Sequence, residues 1–145
     1  MKLLANSNRL IFLLSLLGLT ISTYLAYEYS LPTVINCPIG GTSCETVRQS
    51  AYSSILGIPM PHLGVAYYLT MAILSLLLVE GVKERLLRKL QLLAALAAVV
   101  FSGYLTLLEG FVIKAYCIWC VSSAMIATMI FILVVTTLRR DETRD

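Results

Sequence analysis

The chain has 145 residues, of which 59% are hydrophobic and 13% are charged, and its mean hydropathy is +0.86. Because a water-soluble domain carries about a quarter charged residues, this composition excludes a soluble globular protein and indicates an integral membrane protein with room for one helical bundle. The net charge of +3 carries information only through its distribution along the chain.

Apolar runs predict four transmembrane helices, at about residues 10–29, 60–79, 90–108 and 115–138. The first is interpreted as a retained helix rather than a signal peptide, because its 18 uncharged residues from Leu10 to Tyr27 exceed the usual apolar core of a signal peptide. The third repeats small residues at Ala94, Ala98 and Ser102, a spacing that lets helices approach closely in lipid. We therefore predict an all-α membrane protein, a four-helix bundle formed by a single domain, residues 1–145.

The loop between the first two helices, residues 31–59, is the longest polar interval and is dense in proline and glycine, which favour turns. Within it, residues 44–56 predict a short helix that lies at the membrane interface. Val47, Ala51 and Ile55 would share its apolar face, and Ser43 would be its N-cap.

Cys117 and Cys120 form a Cys-x-x-Cys motif in the first turn of the fourth predicted helix, on one face. The free N–H groups and positive dipole end of a helix start stabilise a thiolate, and Lys114 adds a positive charge nearby. The thiolate is the reactive species in disulfide exchange. Taken alone, the motif is also compatible with two small buried residues or with half of a zinc site.

The distribution of basic residues predicts the orientation of the bundle. Nine of the 11 lysine and arginine residues lie at the termini and in the turn between the second and third helices, whereas Arg48 and Lys114 lie on the other side. The positive-inside rule therefore places both termini in the cytoplasm. All four cysteines then meet at the outer, oxidising face, where disulfides persist. The spacing of Cys37 and Cys44 makes a zinc site the weaker alternative.

In order and spacing, these features resemble the vitamin K epoxide reductase family, specifically its small stand-alone prokaryotic members. The resemblance covers nearly the whole chain. The loop pair comes before the Cys-x-x-Cys, whereas in DsbB-like quinone reductases, the nearest alternative, the order is reversed. The matching segments are residues 36–44, 50–54, 56–59 and 112–120, with Gly64, Tyr67 and Tyr68 on the second helix.

The resemblance implies a membrane thiol oxidoreductase with four catalytic cysteines. Cys37 and Cys44 would be a shuttle pair reduced by a thioredoxin-like protein on the extracytoplasmic side, Cys44 would attack Cys117, and Cys120 would pass electrons to a bound quinone of the ubiquinone, menaquinone or vitamin K type. The location implied is a prokaryotic plasma membrane, and no nucleic-acid partner or metal site is expected. A structural four-helix protein with static disulfides remains the other alternative.

The quinone contacts implied by the resemblance are less well matched. Animal-type members have a tyrosine one turn after the second active cysteine, where this chain has Ala124, and an asparagine near the start of the second helix, where this chain has Met60, Pro61 and His62. His62 is better explained as an interfacial residue that meets water than as a quinone or proton-relay contact. Glu28 and Glu109 are interpreted as ordinary helix-end residues. The expected cofactor contacts are Cys120, His62, Tyr67, Tyr68, Trp119 and Ala124.

Overall fold

The structure is a computed structural model that describes residues 2–35, 37–39, 41–80 and 84–142. Asn36 and Gly40 of the loop between the first two helices lie outside the described residues, as do Lys83 and Arg144, two of the basic residues that predict the orientation. Four of its helices are long and apolar enough to cross a membrane, so the predicted fold class, an all-α membrane protein with a four-helix bundle, is confirmed.

Four long helices, one short helix and a small hairpin make up the described chain. Between α4 and α5 the chain continues as a π-helical segment. The elements are α1 (Lys2–Ser30), α2 (Ser43–Arg48), β1 (Ser54–Ile55), β2 (Ile58–Pro59), α3 (Met60–Val79), α4 (Glu84–Leu107), the π-helical segment (Leu108–Ile113) and α5 (Ile118–Glu142).

The helix ends differ from the sequence-based expectation in two places that concern the site. The third long helix does not end at 108 but runs on as the π-helical segment to Ile113, where Lys114 adopts a left-handed conformation with φ of 56°. The fourth begins at Ile118 rather than at 115. The Cys117 carbonyl accepts the Val121 N–H at 2.9 Å, which makes Cys117 the N-cap residue and leaves only Cys120 inside the first turn.

The predicted loop helix over 44–56 is wrong in its length, since α2 ends at Arg48. The Val47 carbonyl, which a continuing helix would pair with the Ala51 N–H, instead accepts the Ser50 N–H and the Ser50 hydroxyl, the latter at 2.7 Å. Such local bonds from serine compete with helix. The predicted cap at Ser43 is also wrong, because Ser43 is the first helical residue and Thr42 precedes the helix without a side-chain capping bond.

After α2 the chain forms a two-stranded antiparallel hairpin in which Ile55 pairs with Ile58. Leu56 and Gly57 have φ of 53° and 80°, the positive values that a two-residue type I′ turn requires at both positions. The hairpin delivers the chain to Met60, where α3 begins with Pro61 in its first turn, a position at which proline removes no helical hydrogen bond.

The bundle is held together by an apolar core to which all four long helices contribute. Contact is most extensive between α1 and α3, where the Tyr68 ring occupies the space in which a Gly18 side chain would stand. Close approach of this kind replaces the hydrophobic effect as the source of helix association in lipid. The buried core residues are Ile11, Tyr68, Met71, Ala95, Ile126, Ile130 and Val134.

Candidate functional site

The two loop cysteines form a disulfide, with their Cα atoms 5.7 Å apart. The Cys37 N–H donates to the Gly41 carbonyl at 2.8 Å, and Gly41 has a φ of 62° that favours glycine. Both cysteines are buried in a second cluster, the cysteine cluster, which also contains Ile35, Val47 and Cys117 and has Cys120 packed against it. The structure therefore brings all four cysteines together at one end of the bundle.

A set of polar contacts, here called the clamp, holds the segment that follows α1 against α2. The Arg48 guanidinium donates to the carbonyls of Leu31 and Thr33, both at 2.8 Å, and to the Glu45 carboxylate at 3.3 Å. Glu45 in turn accepts the Ile35 N–H at 3.0 Å. That backbone hydrogen bond holds the pKa of Glu45 below its ordinary value. The clamp ties the end of α1 to the helix that carries Cys44.

Cys117 and Cys120 are thiols with unequal surroundings. The pKa of Cys117 is lowered, first because the Cys120 side chain hydrogen bonds to its sulfur, and further because the N–H groups of Cys120 and Trp119 point at it from the helix start. The sequence-based expectation that Lys114 contributes is not supported, since Lys114 is exposed and is not among the causes of the shift. Cys117 is thus the sulfur that the helix start stabilises as a thiolate.

Glu109 completes the surroundings of the thiol pair. It lies on the π-helical segment, is only 4% exposed, and its Oε2 accepts the Cys117 N–H at 3.2 Å. Its side chain also lies close enough to the Cys120 thiol for the two groups to interact. π-Helical turns are frequent at functional sites, and here the segment carries a carboxyl group to both cysteines.

A cavity of about 500 Å³ lies beside the thiol pair, enclosed by α1, α3, α4 and α5. Cys120 and Glu109 are part of its wall, whereas Cys117, Cys37 and Cys44 are not. The small residues of the third long helix, Ala94, Ala98 and Ser102, line this space, and Ala94 also packs against the apolar core, as expected. Their short side chains leave room for a ligand of the size that such clefts bind.

The cavity reaches the lipid-facing surface between α3 and α4. Ala66 and Thr70 on α3, and Ala97 and Thr106 on α4, line the cavity and are also exposed. The hydroxyls of Thr70 and Thr106 donate to carbonyls of their own helices at 2.7 and 2.9 Å. The opening is therefore apolar, with its polar groups already paired, and suits a ligand that arrives from the membrane.

Four of the six expected quinone contacts line the cavity, and two do not. Tyr67, Tyr68, Ala124 and Cys120 line the cavity, whereas His62 is exposed and is not part of its wall. Trp119 is also outside the wall. It packs against Tyr24 with ring centroids 5.3 Å apart.

Of the two tyrosines, only Tyr67 has an uncommitted hydroxyl. Tyr68 is 1% exposed and its hydroxyl lies 2.8 Å from both the carbonyl and the hydroxyl of Ser123. The Tyr67 hydroxyl is buried and has no hydrogen-bond partner among the described residues. Buried polar groups are nearly always paired, so an apolar cavity with one unpaired donor fits an aromatic ligand that carries a carbonyl oxygen, such as a quinone.

Glu109 was missed by the sequence reasoning, although a signal was available. An ionisable residue within an apolar segment is by default a candidate functional residue, but the helix was expected to end at 108, which made Glu109 look like a solvated helix-end residue. Tyr29 was missed as well. It packs against the cysteine cluster, and the Arg48 guanidinium carbon lies 5.8 Å from the centre of its ring.

Among the described residues, no group of three or more histidine, cysteine, aspartate and glutamate side chains is arranged to hold a metal ion. The cysteines are instead arranged as one disulfide and one adjacent dithiol. That arrangement can exchange disulfides in sequence.

Comparisons with known proteins agree with this geometry. The sequence pattern of the vitamin K epoxide reductase family matches residues 9–135. The thiol-disulfide oxidoreductase LTO1 of Arabidopsis thaliana is 37% identical over 60 residues. The matched segment covers 41% of this chain but only 16% of the length of the plant protein.

Proposed function

The chain belongs to the vitamin K epoxide reductase family, and on that premise we propose that it is a membrane thiol oxidoreductase that passes electrons from a thioredoxin-like protein to a quinone. Family membership and the similarity to a plant thiol-disulfide oxidoreductase support the thiol chemistry. The single observation that carries the proposal is that Cys120 packs against the cysteine cluster and lines the cavity at the same time.

Electrons enter through the loop pair. A reduced partner protein opens the Cys37–Cys44 disulfide, and the Cys44 thiolate attacks Cys117 of an oxidised Cys117–Cys120 pair, which forms a Cys44–Cys117 disulfide and releases the Cys120 thiolate. Cys37 then attacks Cys44, which restores the loop disulfide and frees Cys117. The position of Cys44 supports this order, because α2 packs against the π-helical segment that leads to Cys117.

The cavity supplies the second half of the reaction. A quinone bound there would supply the acceptor for the two electrons and two protons that the Cys117 and Cys120 thiols give up as they join in a disulfide. Tyr67 is the residue that would hold it, since its buried hydroxyl is an unused donor that can bind a carbonyl oxygen. The packed rings of Tyr67 and Tyr68, with centroids 4.9 Å apart, form one apolar wall, and Ala124 leaves space where a larger side chain would fill it.

We place the cysteine end of the bundle on the extracytoplasmic face and both termini in the cytoplasm. This orientation rests on the basic residues, which are concentrated at the opposite end of the bundle. Labelling of the reduced loop cysteines by a membrane-impermeant thiol reagent in intact cells tests it. Labelling that needs cell lysis would reverse the orientation.

The proposed function is tested by adding quinones and a reduced thioredoxin-like protein to the purified protein and following quinone absorbance. We expect quinone reduction that depends on the thiol donor. Cys44→Ser should abolish turnover with the protein donor but retain partial turnover with a small dithiol, which reaches Cys117 and Cys120 directly. Loop and helix disulfides that stay static under the donor, with no quinone reduction, would instead support a structural membrane protein.

A further inference from the structure

The Glu109 carboxyl group lies where the thiol pair meets the cavity. It is buried, its Oε2 accepts the Cys117 N–H at 3.2 Å, and it lines the cavity together with Cys120. A carboxyl group inside a membrane-spanning segment is costly. This one is bonded to the backbone of a reacting cysteine and belongs to a residue that lines the proposed quinone site.

The titratable groups that face Glu109 come from two elements besides its own. Cys117 and Cys120 lie at the start of α5, and Tyr29 approaches from α1, close enough to interact electrostatically with Glu109 and with both thiols. Arg48 of α2 reaches only the Tyr29 ring, and Lys114 is exposed. Among the described residues no lysine or arginine is paired with Glu109. The negative charge of its carboxylate is therefore neutralised only when the group takes up a proton.

We propose that Glu109 is a catalytic residue, the acceptor for the Cys120 thiol proton and its donor to the ligand in the cavity. The inference rests on the proposed function. The Cys120 S–H bond breaks and an O–H bond forms on Glu109, the sulfur joins the Cys117 thiolate in an S–S bond, and the two electrons pass to the quinone. Glu109 supplies one of the two protons that the hydroquinone carries, and solvent supplies the other.

The surroundings of Cys120 support this assignment. The lone S–H proton of Cys120 has two neighbouring acceptors, the Cys117 sulfur and the Glu109 carboxylate. The helix start stabilises negative charge on Cys117, which therefore does not need the proton. The carboxylate is the acceptor that also faces the cavity, so it can carry the proton from sulfur to ligand without exposure to water.

Glu109→Gln separates this role from a structural one. Glutamine keeps an oxygen that can accept the Cys117 N–H but cannot take up a proton. General acid–base catalysis contributes on the order of 10²–10⁴-fold, so we expect kcat for quinone reduction to fall by about 10²-fold or more while KM for the quinone changes little. Glu109→Asp should restore part of the rate. Glu28→Gln is the matched control, because Glu28 lies in the last turn of α1, at the same end of the bundle, but does not line the cavity.

A second readout needs no quinone. Infrared difference spectra between the dithiol and the disulfide state, with the pair oxidised by a small thiol oxidant, should show a change in a protonated carboxyl band that shifts in D2O. The change should vanish in Glu109→Gln and persist in Glu28→Gln. A wild-type protein that fails to reduce quinone yet shows this band would count against the proposed function and leave the proton transfer standing.

Three results would overturn the role of Glu109. One is a Glu109→Gln protein whose kcat stays within a few-fold of wild type across the pH range. Another is an equal loss of quinone reduction and of disulfide exchange between Cys44 and Cys117, since that pattern indicates a positioning residue. The third is an unchanged carboxyl band on oxidation of the pair.

Discussion

Replacing Tyr67 by phenylalanine should make the protein more stable and its quinone binding weaker. The hydroxyl of Tyr67 is buried and unpaired among the described residues, whereas its ring packs against Tyr68. Phenylalanine keeps the ring and removes only the oxygen. The change therefore isolates one polar atom of a residue that lines the cavity.

The two effects should have similar size because they have one cause. An unsatisfied buried polar group costs about 1–3 kcal/mol, so the ligand-free variant should gain roughly that amount in its free energy of unfolding. In the wild type the quinone carbonyl relieves the same penalty on binding. The variant loses that relief, which corresponds to an affinity roughly 5- to 150-fold lower.

Tyr68→Phe is the matched control, because it removes the same atom one residue further along α3. The Tyr68 hydroxyl is already bonded to Ser123 at 2.8 Å. Its loss should destabilise the protein by about 1 kcal/mol and change quinone affinity little. Unfolding in detergent without quinone gives the stabilities, and equilibrium titration of the oxidised protein gives the affinities.

The reasoning would be refuted by a Tyr67→Phe protein that is less stable than wild type, or by one that binds quinone as tightly. The first result would mean that the hydroxyl has a partner in the ligand-free protein. The second would mean that the ring, rather than the oxygen, recognises the ligand.

Two further predictions concern the thiol pair and the loop. Cys117→Ser keeps a good N-cap residue at the start of α5 but removes the partner of Cys120, so the quinone-loaded variant should be coloured by a charge-transfer band from the Cys120 thiolate that acid bleaches. A quinone-loaded variant that is colourless at neutral pH would mean that Cys120 does not contact the quinone. Because the folded-state pKa of Glu45 lies below its ordinary value of 4.5, its contribution to loop stability is complete above 4.5 and is lost as the pH falls through the folded value. Reduction of the Cys37–Cys44 disulfide by a phosphine should therefore accelerate in acid. The Glu45→Gln variant should be reduced at the accelerated rate at every pH. A wild-type rate that does not change in acid would mean that the Glu45 hydrogen bonds do not hold the loop in place.

The sequence determined the fold class because the bilayer leaves few solutions. Apolar runs of about 20 residues must become helices to satisfy their own backbone in lipid, and the second predicted span coincides with α3. Once four helices alternate in direction, the cysteines at the loop and at the start of α5 must lie at one end. The order and spacing of the two cysteine pairs and of the segments around them then indicated the family, whose pattern matches residues 9–135.

The ends of α2 and α5 near the site depend on single hydrogen bonds that a sequence pattern does not specify. Serine at position 50 can continue a helix or cap its last carbonyl, and here it takes the Val47 carbonyl and ends α2. Cys117 likewise becomes a cap rather than a helical residue because of how the π-helical segment and Lys114 direct the chain into α5.

The cavity and its polar groups could only come from the tertiary structure. Which of two adjacent tyrosines has a free hydroxyl depends on Ser123, 55 residues away from Tyr68 in the chain. Glu109 meets the thiols because α4 continues for six residues as a π-helix, whose altered number of residues per turn changes the direction in which its side chains point. Hydrophobicity sets which segments cross the membrane, but the packing of one helix against another sets which atoms face the ligand.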